Sequence, residues 1–317
     1  MSTTSSYSST NTTQSVFLDP QSANTGLILC ILAYVSYGIL AIAFSFLKDA
    51  RKKNKTTDFI ITARHSQSLW WSAASWFSCG IGAFTLFGPA DFVVDPSIGT
   101  GIIGLLVYSI FSGIPLVWVA RIGSTVRKNV PQATSVSSYA QWRFGKEVQI
   151  FVLFLVLFIL TINLLDEYLV IGTIFAQFFG CSPHVPIVTV GIITMVYTGF
   201  GGLYVSILTD LYQTVLVLLL VFVSVIWMIY SFCGVSFPSL PDYLGSTAAG
   251  WKTIATIGIP FTCGTFFGEA FWQRCWSADS EKSLRYGSLI GGLFRHSLFY
   301  CWIWCFLGLL VEKGGYC

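Results

Sequence analysis

Apolar residues run through this chain in blocks of about twenty, the length at which a helix crosses a hydrocarbon core. Eight blocks stand out, near 27–47, 69–93, 101–120, 149–180, 185–200, 208–231, 252–272 and 287–311. Within them the apolar positions are continuous rather than alternating, which argues against barrel strands. Backbone groups in lipid must then be satisfied inside helices. The pattern predicts an all-α polytopic membrane protein. Residues 1–26 begin with a Ser/Thr-rich run and lack the basic start and apolar core of a cleaved signal, so they read as a disordered extracellular tail; 27–317 read as one transmembrane domain.

Composition agrees: 54% of the residues are hydrophobic, 16% aromatic and only 10% charged, against about 25% charged in soluble domains. Mean hydropathy is +0.72. If the first helix runs from outside to inside, fourteen of the 17 lysines and arginines fall in cytoplasmic segments, while Lys252 and Lys313 fall outside and Arg295 lies within a span. That bias sets the N-terminus outside and suits a multi-pass protein of the plasma membrane. The basic residues are spread over several loops and form no single stripe, so the net charge of +3 reports topology and no nucleic-acid partner is expected. Asn11 opens an N-glycosylation sequon on the outer tail; the sequon at Asn54 falls inside. Of the nine cysteines, Cys79, Cys263, Cys301 and Cys305 read as helix-packing residues, and Cys181 and Cys233 sit in outer loops where a disulfide is one option.

Two spans are interrupted at mid-depth, in SWFSCGIGAFTLFGPADF (75–92) and IGIPFTCGTFFGEAFWQR (257–274). Glycine weakens a helix by about 1 kcal/mol relative to alanine, and Pro89 or Pro260 removes a donor and crowds the preceding turn. In a membrane such breaks persist where protein or a water-filled cavity satisfies the freed backbone groups. Half-helix N-termini then face anionic groups, and freed carbonyls can hold a cation. The alternative is that Gly80, Gly82 and Gly264 only let helices approach closely. The interrupted spans are second and seventh in order, five apart, as corresponding members of two repeats would be.

Tyr197-Thr198, Gly201-Gly202-Leu203, Thr209-Asp210 and Gln213 resemble the signature of the sodium:solute symporter family at the junction of two helices, and Gln273-Arg274, Ser277-Ala278 and Ser280 resemble the block that follows its second broken helix. The resemblance implies a LeuT-like inverted-repeat fold: an extra N-terminal helix (27–47), a first five-helix repeat (69–231) and, from 252, two helices of the second repeat. That is an incomplete set, as in a C-terminally truncated member, and it lacks the helix whose hydroxyls complete the sodium site. Carried over residue by residue, the cation-binding carbonyls fall on Ser78 and Ile81, with Asp210 near the cation's exit. The solute-facing positions fall on Gly80, Gly82 and Thr85 in the first broken helix and on Gly264, Thr265 and Phe267 in the second. The spacing from Gly268 to Arg274 is shorter than in the family pattern.

Embedded charges are functional candidates because an ionised group at a helix centre costs about 2.5–3.5 kcal/mol or more. Asp166 and Glu167 lie deep in the fourth block; Asp166 is a candidate cation or proton ligand, unless helix tilt carries both acids to the outer headgroups. Glu269 is either an inner gate or, more simply, a local salt-bridge partner of Arg274. Arg295 either pairs inside the bundle or snorkels to the inner surface, and snorkelling is the simpler expectation. Thr209 or Asp210 also has a structural reading, as N-cap of the following helix.

These features suit a secondary active transporter that couples a small polar organic solute, such as an amino acid or urea, to sodium or a proton. The proline- and urea-type branches are candidates, although the proline-type branch commonly has Gln-Pro-His where this chain has Glu269-Ala270-Phe271. The alternative is a solute sensor on the same scaffold. An enzyme is not expected, since His65, His184 and His296 are scattered and no nucleophile or metal constellation accompanies them; no resident cofactor is implied.

Overall fold

The computed structural model describes residues 19–49, 59, 62–83, 93, 97–232 and 242–296. Residues 1–18 of the expected tail, with Asn11, and Thr85, Pro89, Cys233, Cys301 and Cys305 lie outside the described residues, whereas residues 20–26, expected as tail, form the first two turns of the first helix. The described chain is helical: α1 Pro20–Asp49, α2 Leu69–Ser78, α3 Gly101–Asn129, α4 Val136–Phe144, α5 Lys146–Phe179, α6 His184–Phe232, α7 Ala248–Thr253, α8 Ile259–Phe267 and α9 Glu269–Ser277, then α10 over 281–296. Among the described residues, four stretches are long and apolar enough to cross a membrane unaided: Pro20–Ala43, Gly101–Asn129, Lys146–Phe179 and Gly202–Trp227. A fifth, Asp242–Phe267 with Glu269–Ser277, is bent by 51° at its break. The protein is an all-α polytopic membrane protein, as the hydropathy pattern indicates.

The blocks expected at 185–200 and 208–231 form one helical run, folded at Gly202 with φ 60° and ψ −163°. That backbone region is open essentially to glycine alone. The second helix therefore starts just after Gly202 and not at Thr209, so the N-cap reading of Thr209 and Asp210 is overturned: both lie two turns inside the helix. Replacing Gly202 with alanine should lower the thermal unfolding midpoint of the purified protein by several degrees, at a cost of about 1–3 kcal/mol. Gly199→Ala, where a Cβ meets nothing within 4 Å, should not lower it, since alanine is the better helix former.

α1 lies along α6 and α5. Gly38 admits the Ile193 side chain, and Tyr34 and Thr194 share a hydrogen bond of 2.8 Å. Tyr37 meets Tyr197 edge to face at 6.3 Å. Tyr197 of the family motif thus helps dock the extra helix on the fold at Gly202.

The main core lies between α2, α3 and α9, where Trp76, Leu116, Val119, Trp272, Trp276 and Leu284 are buried together. At about 25 cal/mol per Å² of buried apolar surface, these large side chains fix how the two broken spans sit. Their ends are also tied through the backbone: Gln67 bridges Ala278, the Ser66 and Gln67 amides donate to the Ser277 carbonyl, and Asp279 N donates to Gln67 O at 2.8 Å. Arginines complete this end. Arg127 donates to the Ala278 carbonyl and Arg64 to those of Pro131 and Ala133. Glu281 pairs with Lys128 and Arg285, and the Ser283 hydroxyl holds the Asp279 carboxyl below the usual carboxylate range. At the opposite end Thr247 caps α7 by accepting from Gly250 N and donates to Gly99 O.

α10 packs on α2 with almost nothing between the backbones. A Cβ on Gly291 would come within 2.7 Å of the Ala73 carbonyl and of Trp76 Cβ, and one on Gly287 within 2.6 Å of Ser72 Oγ. Small residues four apart are the usual device for such crossings in membranes.

Candidate functional site

α2 stops at Ser78 because the next residues leave helical geometry: Cys79 is extended and Gly80 has φ +80°, a left-handed conformation that glycine accepts without strain. The Ile81 amide turns back onto the Ser78 carbonyl at 2.9 Å. This first break places the carbonyls of Cys79 and Gly80 and the amide of Ala83 on a short non-helical length of backbone, and charged side chains take both ends. Arg295 of α10 donates from Nη1 to Cys79 O (2.8 Å) and from Nη2 to Gly80 O (2.9 Å). Glu167 of α5 accepts from Ala83 N at 2.6 Å through Oε2. Gly82 lets the carboxylate approach, since a Cβ there would make Glu167 shift.

Two expectations are corrected by this arrangement. Arg295 does not snorkel: it is 6% exposed and grips the break. Tilt does not carry Glu167 to the headgroups; it crosses to the break, while its neighbour Asp166 is half-buried and has no hydrogen-bond or ion-pair partner among the described residues.

The second break falls within the interrupted stretch 257–274, past its proline, Pro260. A π-helical turn, Ile254–Gly258, precedes that proline, and a widened turn relieves the crowding of its ring against the preceding backbone. The helix breaks at Gly268, φ −74° and ψ 99°. Thr265 is buried and donates to Phe261 O at 2.8 Å, its own carbonyl accepts from Gly268 N, and Gly264 has open space beside it. Phe267 is half-buried at the end of α8. Phe271 of α9 joins the two breaks, stacked on Trp76 at 6.4 Å and beside Gly80.

Below the first break lies a buried polar cluster. Arg274 and Asp210 form an ion pair at 2.6 Å; Ser75 donates to Asp210 Oδ2 at 2.7 Å and accepts from Arg274 Nε at 3.1 Å. Arg274 also donates to the Ala270 carbonyl. One cluster thus fastens α2, α6 and α9. The local Glu269–Arg274 pair expected from sequence is not made, because Glu269 accepts instead from Val136 N at the start of α4.

Of the positions assigned to a cation, Ser78 and Ile81 lie at the break. The Ser78 hydroxyl is buried without a hydrogen-bond partner among the described residues, and Asp210 is held by Arg274. Ser75 and Arg295 were not among the assigned residues, and Glu167 was passed over for Asp166. The available signal was pairing: a buried arginine needs an acceptor, and broken helices supply carbonyls. Gln213 is exposed and Thr198 half-buried, its hydroxyl turned onto the Thr194 carbonyl, while Leu203 packs in the small cluster around Tyr204 and Ile207. Gln273 is half-buried and Ala278 fully so.

Paired broken spans, a buried Asp–Arg link at the Gly202 fold and charges on the freed backbone form a transporter-like arrangement. A model of the sodium:solute symporter family matches residues 59–309. The chain belongs to the sodium:solute symporter family. Among its relatives, a protein of Candida albicans named spermidine transporter DUR31 is 25% identical over 199 residues, covering 62% of this chain and 38% of that protein. Mouse sodium/myo-inositol cotransporter 2 is 26% identical over 290 residues, 90% of this chain and 40% of its own length. The chain spans about two-fifths of the length of these relatives.

Proposed function

We propose that this symporter-family protein is a secondary active transporter, moving a small polar organic solute with sodium or a proton by alternating access around the two breaks, in the plasma membrane with its N-terminus outside. The observation that carries this reading is the first break itself. A backbone interruption at membrane depth is stable here because Arg295 and Glu167 satisfy it, as expected of a helix opened to hold ligands. The orphan Ser78 hydroxyl supplies an oxygen ligand for the coupling cation beside that opening. The family's inverted-repeat arrangement accounts for the order of elements: α1 as the extra helix, then repeats whose first helices are α2 and the bent α7–α9 span. The relatives' named solutes, spermidine and myo-inositol, are both small and polar and are carried over here only as that class.

Cells expressing the protein should concentrate a radiolabelled solute of this class above the external level. Accumulation should collapse when the sodium and proton gradients are dissipated together, and removing one at a time identifies the coupling ion. Uptake that only equilibrates sinks the symport reading, and saturable binding without flux points to a sensor.

A further inference from the structure

Away from both breaks, α3 and α10 cross with an open groove of about 400 Å³ between them. Its floor is backbone: a Cβ on Gly113 would come within 2.7 Å of the Gly292 carbonyl, so no side chain stands where the helices touch. Its walls are apolar side chains four apart, Ile110, Ile114 and Trp118 on α3 and Leu289 and Leu293 on α10, all of them exposed. Residues at that spacing share one helix face. Arg121, one turn on from Trp118 and on the same face, closes one end of the groove.

From Ile110 to Arg121 the helix rises about 16 Å at 1.5 Å per residue, which is half of a hydrocarbon core about 30 Å thick. The groove is thus one leaflet long. Trp118 then stands near the boundary of tails and headgroups, where tryptophan is enriched, and Arg121 stands at the level of the phosphates. In the orientation proposed above this is the cytoplasmic leaflet. The charges at that end do not balance. Arg127 is offset by Asp279, but Lys128 and Arg285 share the single carboxylate of Glu281, which leaves one positive charge over. The Arg121 side chain has no hydrogen-bond or ion-pair partner among the described residues and adds a second.

We infer that this groove is a binding site for an anionic phospholipid, with one acyl chain lying over Gly113 and Gly292 and the phosphate held by Arg121. A guanidinium offers a planar fork that matches phosphate oxygens, and basic pockets between spanning helices on the cytoplasmic side receive such headgroups. A further helix, from a second copy or from elsewhere in the chain, would cover the apolar walls but bring no anion to Arg121. The lipid answers both. Gly292 is next in the chain to Gly291, which rests on α2, so a lipid seated here braces α10 against α3 beside its contact with α2.

The test uses the full chain with p-benzoylphenylalanine in place of the exposed Ile114, reconstituted into vesicles of four parts phosphatidylcholine to one part phosphatidylserine and irradiated, the adducts being read by mass spectrometry. Phosphatidylserine should be enriched at least threefold over its share of the bilayer, and Arg121→Gln should bring the adducts down to that share. The same photoprobe in place of Phe158 on α5, exposed and away from the groove, should report the bulk composition in both proteins. Adducts at Ile114 in bulk proportion overturn the inference, as does an enrichment that survives Arg121→Gln. A cross-link from Ile114 to a peptide of the same chain or of a second copy also overturns it, since protein then fills the groove. Should the photoprobe lower the yield of folded protein, thermal unfolding of the unlabelled protein decides. Adding phosphatidylserine to phosphatidylcholine vesicles should raise the midpoint, Arg121→Gln should lose at least half of that rise, and Lys282→Gln, which removes an exposed cation outside the groove, should keep it. Equal rises in all three proteins, or no rise in any, overturn the inference. None of these readings involves transport, so the symport reading stands or falls separately.

Discussion

Asp210→Asn is expected to remove most of the folded protein from the membrane, and with it most of the uptake. The mutation leaves Arg274, 7% exposed, with a buried charge and no carboxylate. Breaking a buried ion pair by removing one partner costs about 3–5 kcal/mol, a large part of a typical protein's total stability. The sharper part of the prediction is the rescue. Neutralising both partners, as Asp210→Asn with Arg274→Gln, removes the stranded charge and should recover at least half of the loss in unfolding midpoint, because the two residues act as one unit. Measured by surface biotinylation and thermal unfolding, a double variant no better than the single one would show that Asp210 matters through something other than Arg274. A single variant at wild-type levels would show that the pair does not hold α6 to α9.

Arg295→Met should reduce normalised uptake at least tenfold. Methionine keeps the stem's bulk but strands the Cys79 and Gly80 carbonyls, which the guanidinium now binds together. Hydrogen bonds to charged groups contribute about 1.5–3 kcal/mol each, so the expected loss is of the order of 3 kcal/mol or more, concentrated on the geometry of the break. Lysine brings the charge as a point and lacks the planar fork, so Arg295→Lys should fall between wild type and methionine. Initial rates in the three proteins at matched surface amounts decide the matter, and a methionine variant at full rate would mean that the break keeps its shape without Arg295.

What the sequence disclosed and what it hid divide along a physical line. Hydropathy and glycine position are local, so the all-α class, the bend near Gly201-Gly202 and the interruption around Cys79–Gly82 could be read directly. Partners across the bundle are not local. The spacing of Thr209-Asp210 invited a cap because a cap is the nearest structural use for such a pair. Only the fold at Gly202, seven residues before Thr209, shows that the helix has already begun. Arg295 looked like a residue reaching for the membrane surface because hydropathy carries no record of the carbonyls that α2 leaves open. Glu269 and Arg274, five apart, looked like neighbours, but each had a better partner elsewhere, in Val136 and Asp210. In the second interrupted span the sequence offered both Pro260 and its glycines; the π-helical turn accommodates the proline and the chain yields at Gly268.

The bare crossing of α10 on α2 has a mechanical consequence. With the Gly291 backbone resting on Ala73 and Trp76, the two helices cannot slide past each other or separate without opening a void, but they can rock. Arg295 stands one turn beyond that fulcrum, an arm of about 6 Å at 1.5 Å per residue. A rock of about 10° therefore sweeps the guanidinium through roughly 1 Å, which takes a hydrogen bond of ordinary length beyond its useful range. The crossing acts as a short lever, by which a small change in the pitch of α2 sets or releases the grip on its own open end.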